Sequence, residues 1–355
     1  MINQIEPVIT KEDIESVNEY LTSGGWLTEH TLTKSLEDNI ASYLGRKYAV
    51  AVPNGTIAIY LALKSKGLGE GTRIAVPNIT MVATINAVVW AGAQPILVDV
   101  DESLCMSLNQ LKKIEDLDAV IFVPLNGRSG SGELIEEWCS DRNIILIEDS
   151  AHALGSNYKG KKCGALGDAS ILSFTPHKII TSGQGGLVLT DNEGLYNLMY
   201  DYKTFNREKD ASDWHKDFGL NFKFTDLQAA ILLSQLKRLD ELIESKRELF
   251  LLYKNSINAP EDRFLEFNHY ETPWFIDFLL TPDESQSAYQ ELLIENDIQV
   301  RKGYPPLSKQ SMFSETERTD LSYSEEKAER IIWLPSSTNL SSEEINKIAK
   351  ILQLA

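Results

Sequence analysis

The sequence predicts an α/β protein, with a large unit built on a mostly parallel sheet flanked by helices and a smaller α+β unit behind it. Three observations carry this reading. Short apolar runs recur at residues 49–52, 73–76, 95–98, 119–123, 144–147, 170–174 and 186–190, with helical patterns between several of them. The run Ile144-Ile-Leu-Ile147 shows no polar alternation, as expected of a strand buried on both faces of a parallel sheet. Beyond residue 255 the chain turns to mixed elements that end in an amphipathic helix at 342–352. The boundary assigns residues 1–254 to the large unit and 255–355 to the small one.

The elements follow in order. The strand at 49–52 runs into Pro53-Asn-Gly-Thr56, a turn that opens a helix with Ile57 and Leu61 on its apolar stripe. Residues 81–98 form the most apolar region, but Asn86, Gly92, Gln94 and Pro95 divide it into helix, turn and strand, not a membrane span. The strands at 170–174 and 186–190 bracket a loop ending in Gly183-Gln-Gly-Gly186. A single long helix is expected from about 226 to 254, capped by Thr225 or Asp226, with Leu227, Ala230, Leu233 and Leu236 on its buried side.

Composition narrows the function classes. At 355 residues the chain has ample length for a core. A formal net charge of −18 argues against nucleic-acid binding, which needs a basic face. Cys105, Cys139 and Cys163 are scattered and odd in number, which suits a reduced, cytoplasmic protein better than a disulfide scaffold. No Cys/His spacing suggests a metal site. The N-terminal residues lack the basic start and apolar stretch of a signal peptide.

Lys178 is the most informative residue. It follows an apolar strand by four residues and precedes a glycine-rich turn and a second buried strand. A lysine delivered by a tight loop between buried strands suits a pyridoxal-phosphate enzyme, which needs an amine to bond the cofactor aldehyde and later move protons. Asp149 ends the doubly buried strand, where open α/β sheets place ligand chemistry. A carboxylate there suits a protonated pyridine nitrogen, and an Asp also suits a helix N-cap. His152 is either structural or a residue that lies over the same ring. Gly55 and Thr56 open a helix whose free N–H groups suit a phosphate, or simply start a helix, and Ser173 offers a further hydroxyl.

Taken together these segments resemble the nucleotide-sugar aminotransferase family, often called DegT/StrS, of fold-type-I pyridoxal-phosphate enzymes. The resemblance runs over nearly the whole chain. It begins at Gly25-Trp-Leu-Thr28 and continues through Val52-Pro-Asn-Gly-Thr56, Pro77-Asn-Ile-Thr-Met-Val-Ala-Thr84 and Gly92-Ala-Gln-Pro-Ile-Leu-Val-Asp-Val-Asp101. It then takes in Glu148-Asp149, the Lys178 loop, Arg301-Lys-Gly-Tyr-Pro-Pro-Leu307 and Leu334-Pro-Ser336. It implies that Lys178 carries the cofactor and Asp149 faces the pyridine nitrogen, with His152 near the ring. Gly55, Thr56 and Ser173 fall at phosphate-binding positions, Ile57 is a further cofactor-binding position, and Met81 stands where many relatives stack an aromatic residue on the ring. Asn221 matches an asparagine that reaches the phosphate of a neighbouring subunit, which implies a homodimer with shared sites. Trp26, Thr28, Lys223, Arg301 and Tyr304 are the expected substrate contacts, and the resemblance implies an N-terminal helix, Lys11 to Leu21, that packs with the small unit.

Two departures bear on these expectations. Met81 is polarizable and still packs against a ring, with weaker stacking than an aromatic gives. Pro124-Leu-Asn-Gly127 replaces a common His-Leu-Tyr-Gly, so polar contacts near the substrate are expected to differ. Relatives with histidine in place of the lysine remove a hydroxyl instead of transferring an amine. Here the glycine register puts Lys178 at the key position, with His177 beside it. The resemblance, strongest to 4-amino-sugar synthases of the perosamine type, implies transfer of an amino group from an amino acid such as L-glutamate to C4 of a nucleotide-linked 4-keto-6-deoxyhexose. The alternatives are a dehydratase and a non-catalytic binding protein. With its net charge of −18, the chain must hold an anionic substrate by local groups such as Lys223, Arg301 and Lys302.

Overall fold

A computed structural model of the chain describes residues 1–208, 213–257, 260 and 263–353. All seven predicted strands form, as β1 (Tyr48–Val52), β2 (Arg73–Pro77), β3 (Gln94–Val98), β4 (Ala119–Phe122), β5 (Ile145–Asp149), β6 (Ala169–Ser173) and β7 (Gly186–Thr190). They make one sheet in the order β1-β7-β6-β5-β4-β2-β3, and only β7 runs against the rest. Adjacent residues of a strand serve opposite cores. Val76, Ile121 and Ile147 pack with α3 (Gly55–Ser65) and α4 (Ala83–Ala91), whereas Ala75, Val120 and Leu146 pack with α6 (Gly132–Ser140). Burial on both faces is why these strands read as unbroken apolar runs.

The expected long helix is two, α8 (Asp226–Leu236) and α9 (Leu239–Ser256). Arg238 leaves helical geometry at φ −106° and ψ 6°, and its guanidinium pairs with Asp13 at 2.9 Å. No glycine or proline marks the break, so it left no trace in the local sequence. Asp13 lies in α1 (Lys11–Thr22), which packs on α8. The segment ahead of that helix reaches the C-terminal elements, where Ile2 pairs with Ile298.

The C-terminal elements build a second sheet, β8 (Ile276–Leu279), β9 (Arg301–Lys302) and β10 (Ile331–Leu334), antiparallel in the order β8-β10-β9. Phe278, Ile332 and Leu334 share a core with Tyr253 of α9 and Ile348 of α12 (Ser342–Leu352). The two sheets meet at a polar clasp. Asp277 pairs with Arg128 at 2.5 Å, and accepts from Asn126 at 2.6 Å and from the Trp333 indole at 2.7 Å. Asn126 also exchanges hydrogen bonds with the backbone of Phe275. The Pro124–Gly127 departure therefore places Asn126 in this clasp, and none of its four residues lines the main cavity. A short asparagine held at φ 56° fits the crowded junction.

Candidate active site

A cavity of about 750 Å³ opens at the C-terminal ends of β1, β2, β5 and β6, the edge where open α/β sheets bind ligands. It brings together Lys178, Asp149, His152 and Ser173, with Gly55, Thr56 and Ile57 at the start of α3. Met81, Arg301 and Tyr304 complete the set of expected residues along its wall.

Lys178 enters from a turn that its own N–H closes onto the Thr175 carbonyl at 3.0 Å. The loop is anchored to α8, whose Gln235 accepts the Thr181 N–H at 2.8 Å and whose Gln228 donates to the Gln184 carbonyl at 2.7 Å. Burial pushes the Lys178 amine down to about 7, partly offset by the attraction of Asp149. A lysine near neutrality is divided between acid and base, which suits proton transfer. Burial in turn raises Asp149, countered by the Thr84 hydroxyl at 2.8 Å, the Ala151 N–H and the Lys178 charge. A cationic ring nitrogen against this carboxyl would restore its charge.

The opposite end has the form of an anion cradle. Asn54 caps α3 by accepting the Ile57 N–H at 3.0 Å, so Gly55 and Thr56 open the helix with N–H groups that no earlier turn satisfies. Two glycines make the cradle close-fitting. A Cβ on Gly55 would lie 3.2 Å from the Cβ of Ser173, and one on Gly186 would lie 2.5 Å from the Asn54 carbonyl. Strand β7 thus abuts the helix start directly, and the Ser173 side chain lies beside Gly55. A helix N-terminus with adjoining hydroxyls, a carboxyl and a lysine amine across one cavity fit pyridoxal phosphate.

Sequence reasoning missed Trp274. Its ring stacks on His152 at 4.1 Å and 20°, and lies 3.8 Å from the Lys178 Nζ. It follows Thr272-Pro273 just ahead of β8 and reads as the entry to an ordinary strand. His152 is buried, its Nδ1 has no hydrogen-bond partner among the described residues, and its Nε2 is 3.4 Å from the Tyr304 hydroxyl. Burial and the Lys178 charge hold it well below the usual histidine range, so it is neutral. Thr84, whose hydroxyl bonds Asp149, gave no local signal either. Trp90, stacked on Tyr60 at 4.1 Å, and Gln184 line the wall as well.

Four expected residues are not brought into this cavity by the chain itself. Trp26 and Asn221 are exposed, as is Lys223, and Thr28 bridges Thr225 ahead of α8. Lys302 turns away to Ser287, as alternation along β9 requires once Arg301 faces the cavity. Among the described residues no cluster of acidic, histidine or cysteine side chains could hold a metal, and no helix is long and apolar enough to cross a membrane.

Sheet, lysine, carboxyl and cradle define a class, the enzymes that hold pyridoxal phosphate through a lysine at the end of a mostly parallel sheet. Comparison with known proteins agrees. The profile of the DegT/DnrJ/EryC1/StrS aminotransferase family matches residues 7–353. The chain is 34% identical to a GDP-perosamine synthase of Escherichia coli O157:H7, over 96% of its own length and 94% of the relative's. It is 31% identical to the spore coat polysaccharide biosynthesis protein SpsC of Bacillus subtilis, over 79% and 76%. The crystal structure of the aminotransferase TlmJ from Streptoalloteichus hindustanus superposes with a TM-score of 0.92 at 26% identity, covering 100% and 98% of the two chains. The chain belongs to the DegT/DnrJ/EryC1/StrS aminotransferase family. It is an aminotransferase, and its cofactor is pyridoxal 5′-phosphate.

Proposed function

We propose that the chain transfers an amino group from L-glutamate to the C4 keto group of a nucleotide-linked 4-keto-6-deoxyhexose, producing an amino sugar for surface polysaccharide. The observation that carries the chemistry is Lys178, which lines the cavity with Asp149 and whose amine burial pushes down to about 7. The sugar side is supported by the likeness to a GDP-perosamine synthase along almost the entire chain.

Lys178 would hold the cofactor through Nζ, Gly55, Thr56 and Ser173 would bind its phosphate, and Asp149 would keep a proton on its ring nitrogen. Bound there, pyridoxal phosphate supplies an electron sink that makes the donor's Cα–H acidic. With the cofactor held there, a free Lys178 amine would take the proton from the donor's Cα and later return it, serving as base and then acid. The sugar half runs the same proton transfers in reverse. Arg301 makes no ion pair among the described residues, and its position on the wall suits an anionic substrate that the overall charge would repel.

The working form we propose is a homodimer with shared sites. Trp26, Trp90, Trp214 and Phe218 expose large apolar surface, and Asn221 lies outside its own chain's cavity, as a residue serving the neighbouring subunit would. We divide the chain into units near residue 255, at the end of α9. A cytoplasmic setting is supported by three buried free thiols, Cys105, Cys139 and Cys163.

The test is an absorbance spectrum of the cofactor-loaded protein before and after L-glutamate, followed by mass analysis of products from GDP- and dTDP-linked 4-keto-6-deoxyhexoses. A band near the visible edge that moves to shorter wavelength with glutamate, and an aminated sugar as product, are expected. Lys178→Ala should abolish both while the fold is retained. Loss of water from the sugar would make the protein a dehydratase, and binding without turnover would make it non-catalytic. Transfer that persists without Lys178 would overturn the mechanism.

A further inference from the structure

We propose that Trp274 is a positioning residue for Lys178, its indole face being the seat on which the free amine rests between its bonded states. The inference rests on Lys178 being the reactive amine, as proposed above. Among the described residues the Lys178 Nζ makes no hydrogen bond or ion pair, and its close partner is the Trp274 ring, 3.8 Å from the centroid. A buried ammonium without an oxygen partner is costly, and an aromatic face is the one apolar surface that attracts it.

The ring is held more firmly than apolar packing requires. Its Nε1 donates to the His177 carbonyl at 2.6 Å, tying it to the residue next to the lysine. Its backbone N–H donates to the Asn126 carbonyl at 3.2 Å, and its own carbonyl accepts from the Lys246 Nζ at 2.9 Å. The His152 stack and the Phe275 ring at 4.1 Å fix the plane. The His177 carbonyl and the His152 and Phe275 rings thus hold the indole itself, and Asn126 and Lys246 hold its backbone, at a residue that the transfer chemistry does not itself employ. The C-terminal unit thereby reaches the reactive amine.

Other groups also face Lys178. Asp149 favours its charge, the rings of His152 and His177 stand on the cavity side, Arg301 and Tyr304 lie across it, and Lys246 lines a small space behind. The expected depression of the amine is set by burial, and the indole face moderates it by favouring the ammonium.

The experiment replaces all tryptophans with mono-, di- and trifluorinated analogues, which keep the ring's shape and drain its π-face. On the full chain freed of cofactor, trace acylation followed by mass spectrometry of the Lys178 peptide gives the pH midpoint of its reactivity. The midpoint should fall stepwise with fluorination, by about 1 pH unit across the series. In the Trp274→Phe background the dependence on fluorine should vanish. A midpoint that ignores fluorination, or one that still responds in Trp274→Phe, overturns the proposal. In the loaded enzyme Trp274→Leu should lower kcat roughly tenfold with little change in KM for the nucleotide sugar, and Trp274→Phe should restore most of it. A rise in KM alone would make Trp274 a substrate wall and refute its role toward the lysine. Borohydride fixation of the cofactor separates the two readings. Fixation to a different lysine would remove Lys178 as the reactive amine, whereas the fluorine series reads its contact with Trp274 regardless.

Discussion

Replacing Lys246 with methionine tests how the C-terminal unit is anchored beneath the site. Lys246 is only 3% exposed and forms no ion pair among the described residues. It donates to the carbonyl of Trp274 at 2.9 Å and to that of Ser336. Burial alone pushes its amine down to about 7 from the usual 10.5. The sign follows from proton counting. Between those two values the unfolded chain keeps the proton that the folded chain has shed, so raising the pH favours folding by about 1.4 kcal/mol per pH unit. Below pH 7 both states hold the proton and the dependence disappears. Methionine fills similar space without the proton and strands two buried carbonyls, at about 1–3 kcal/mol each. Native and variant proteins, both free of cofactor, would be unfolded in urea at pH 7, 8 and 9. Lys178 titrates in both and cancels in the difference. The stability gap should widen in favour of the native protein by about 2 kcal/mol from pH 7 to pH 9. Parallel curves would refute the reasoning, because they would mean that Lys246 keeps an ordinary amine and is not sealed under Trp274.

Asp149→Asn keeps an acceptor for the Thr84 hydroxyl while removing the charge, and kcat should drop by at least about 100-fold. Burial raises the Asp149 carboxyl, so its contribution to stability is lost as pH climbs through the folded value; at pH 8 the cofactor-free Asn variant should melt above the native protein in calorimetry. Gly186→Ala would drive a Cβ to within 2.5 Å of the Asn54 carbonyl and 2.9 Å of the Gly55 nitrogen. Opening the cradle at about 1–3 kcal/mol should weaken cofactor retention roughly tenfold or more in an equilibrium titration. Asn221→Ala and Lys178→Ala should each be inactive, yet co-expressed they should recover about a quarter of native activity, since half the dimers would carry one intact site of two. An inactive mixture would remove the shared-site dimer.

Much of the site was legible because its residues sit at places where local sequence dictates geometry. Asp149 ends a doubly buried strand, Gly55 and Thr56 start a helix behind an Asn cap, and Lys178 is fixed in register by the glycines after it. What escaped notice was set at a distance. The helix break at Arg238 answers to Asp13, more than two hundred residues earlier in the chain. Thr84 acquires its role from a hydrogen bond to Asp149, 65 positions away.

The sequence by itself determined the sheet, its strand boundaries within a residue or two, the family and the lysine proposed as the reactive one. Each of these depends on periodicity, turn chemistry or short motifs, which act between near neighbours. Only the tertiary structure decided what surrounds that lysine. Trp274 reaches it from the C-terminal unit, Lys246 is buried behind Trp274, and Asn126 turns from the cavity to bind the strand beneath. These contacts join residues about a hundred positions or more apart in several cases. Their strength comes from burial and from orientation across an interface, quantities that no local stretch of sequence contains.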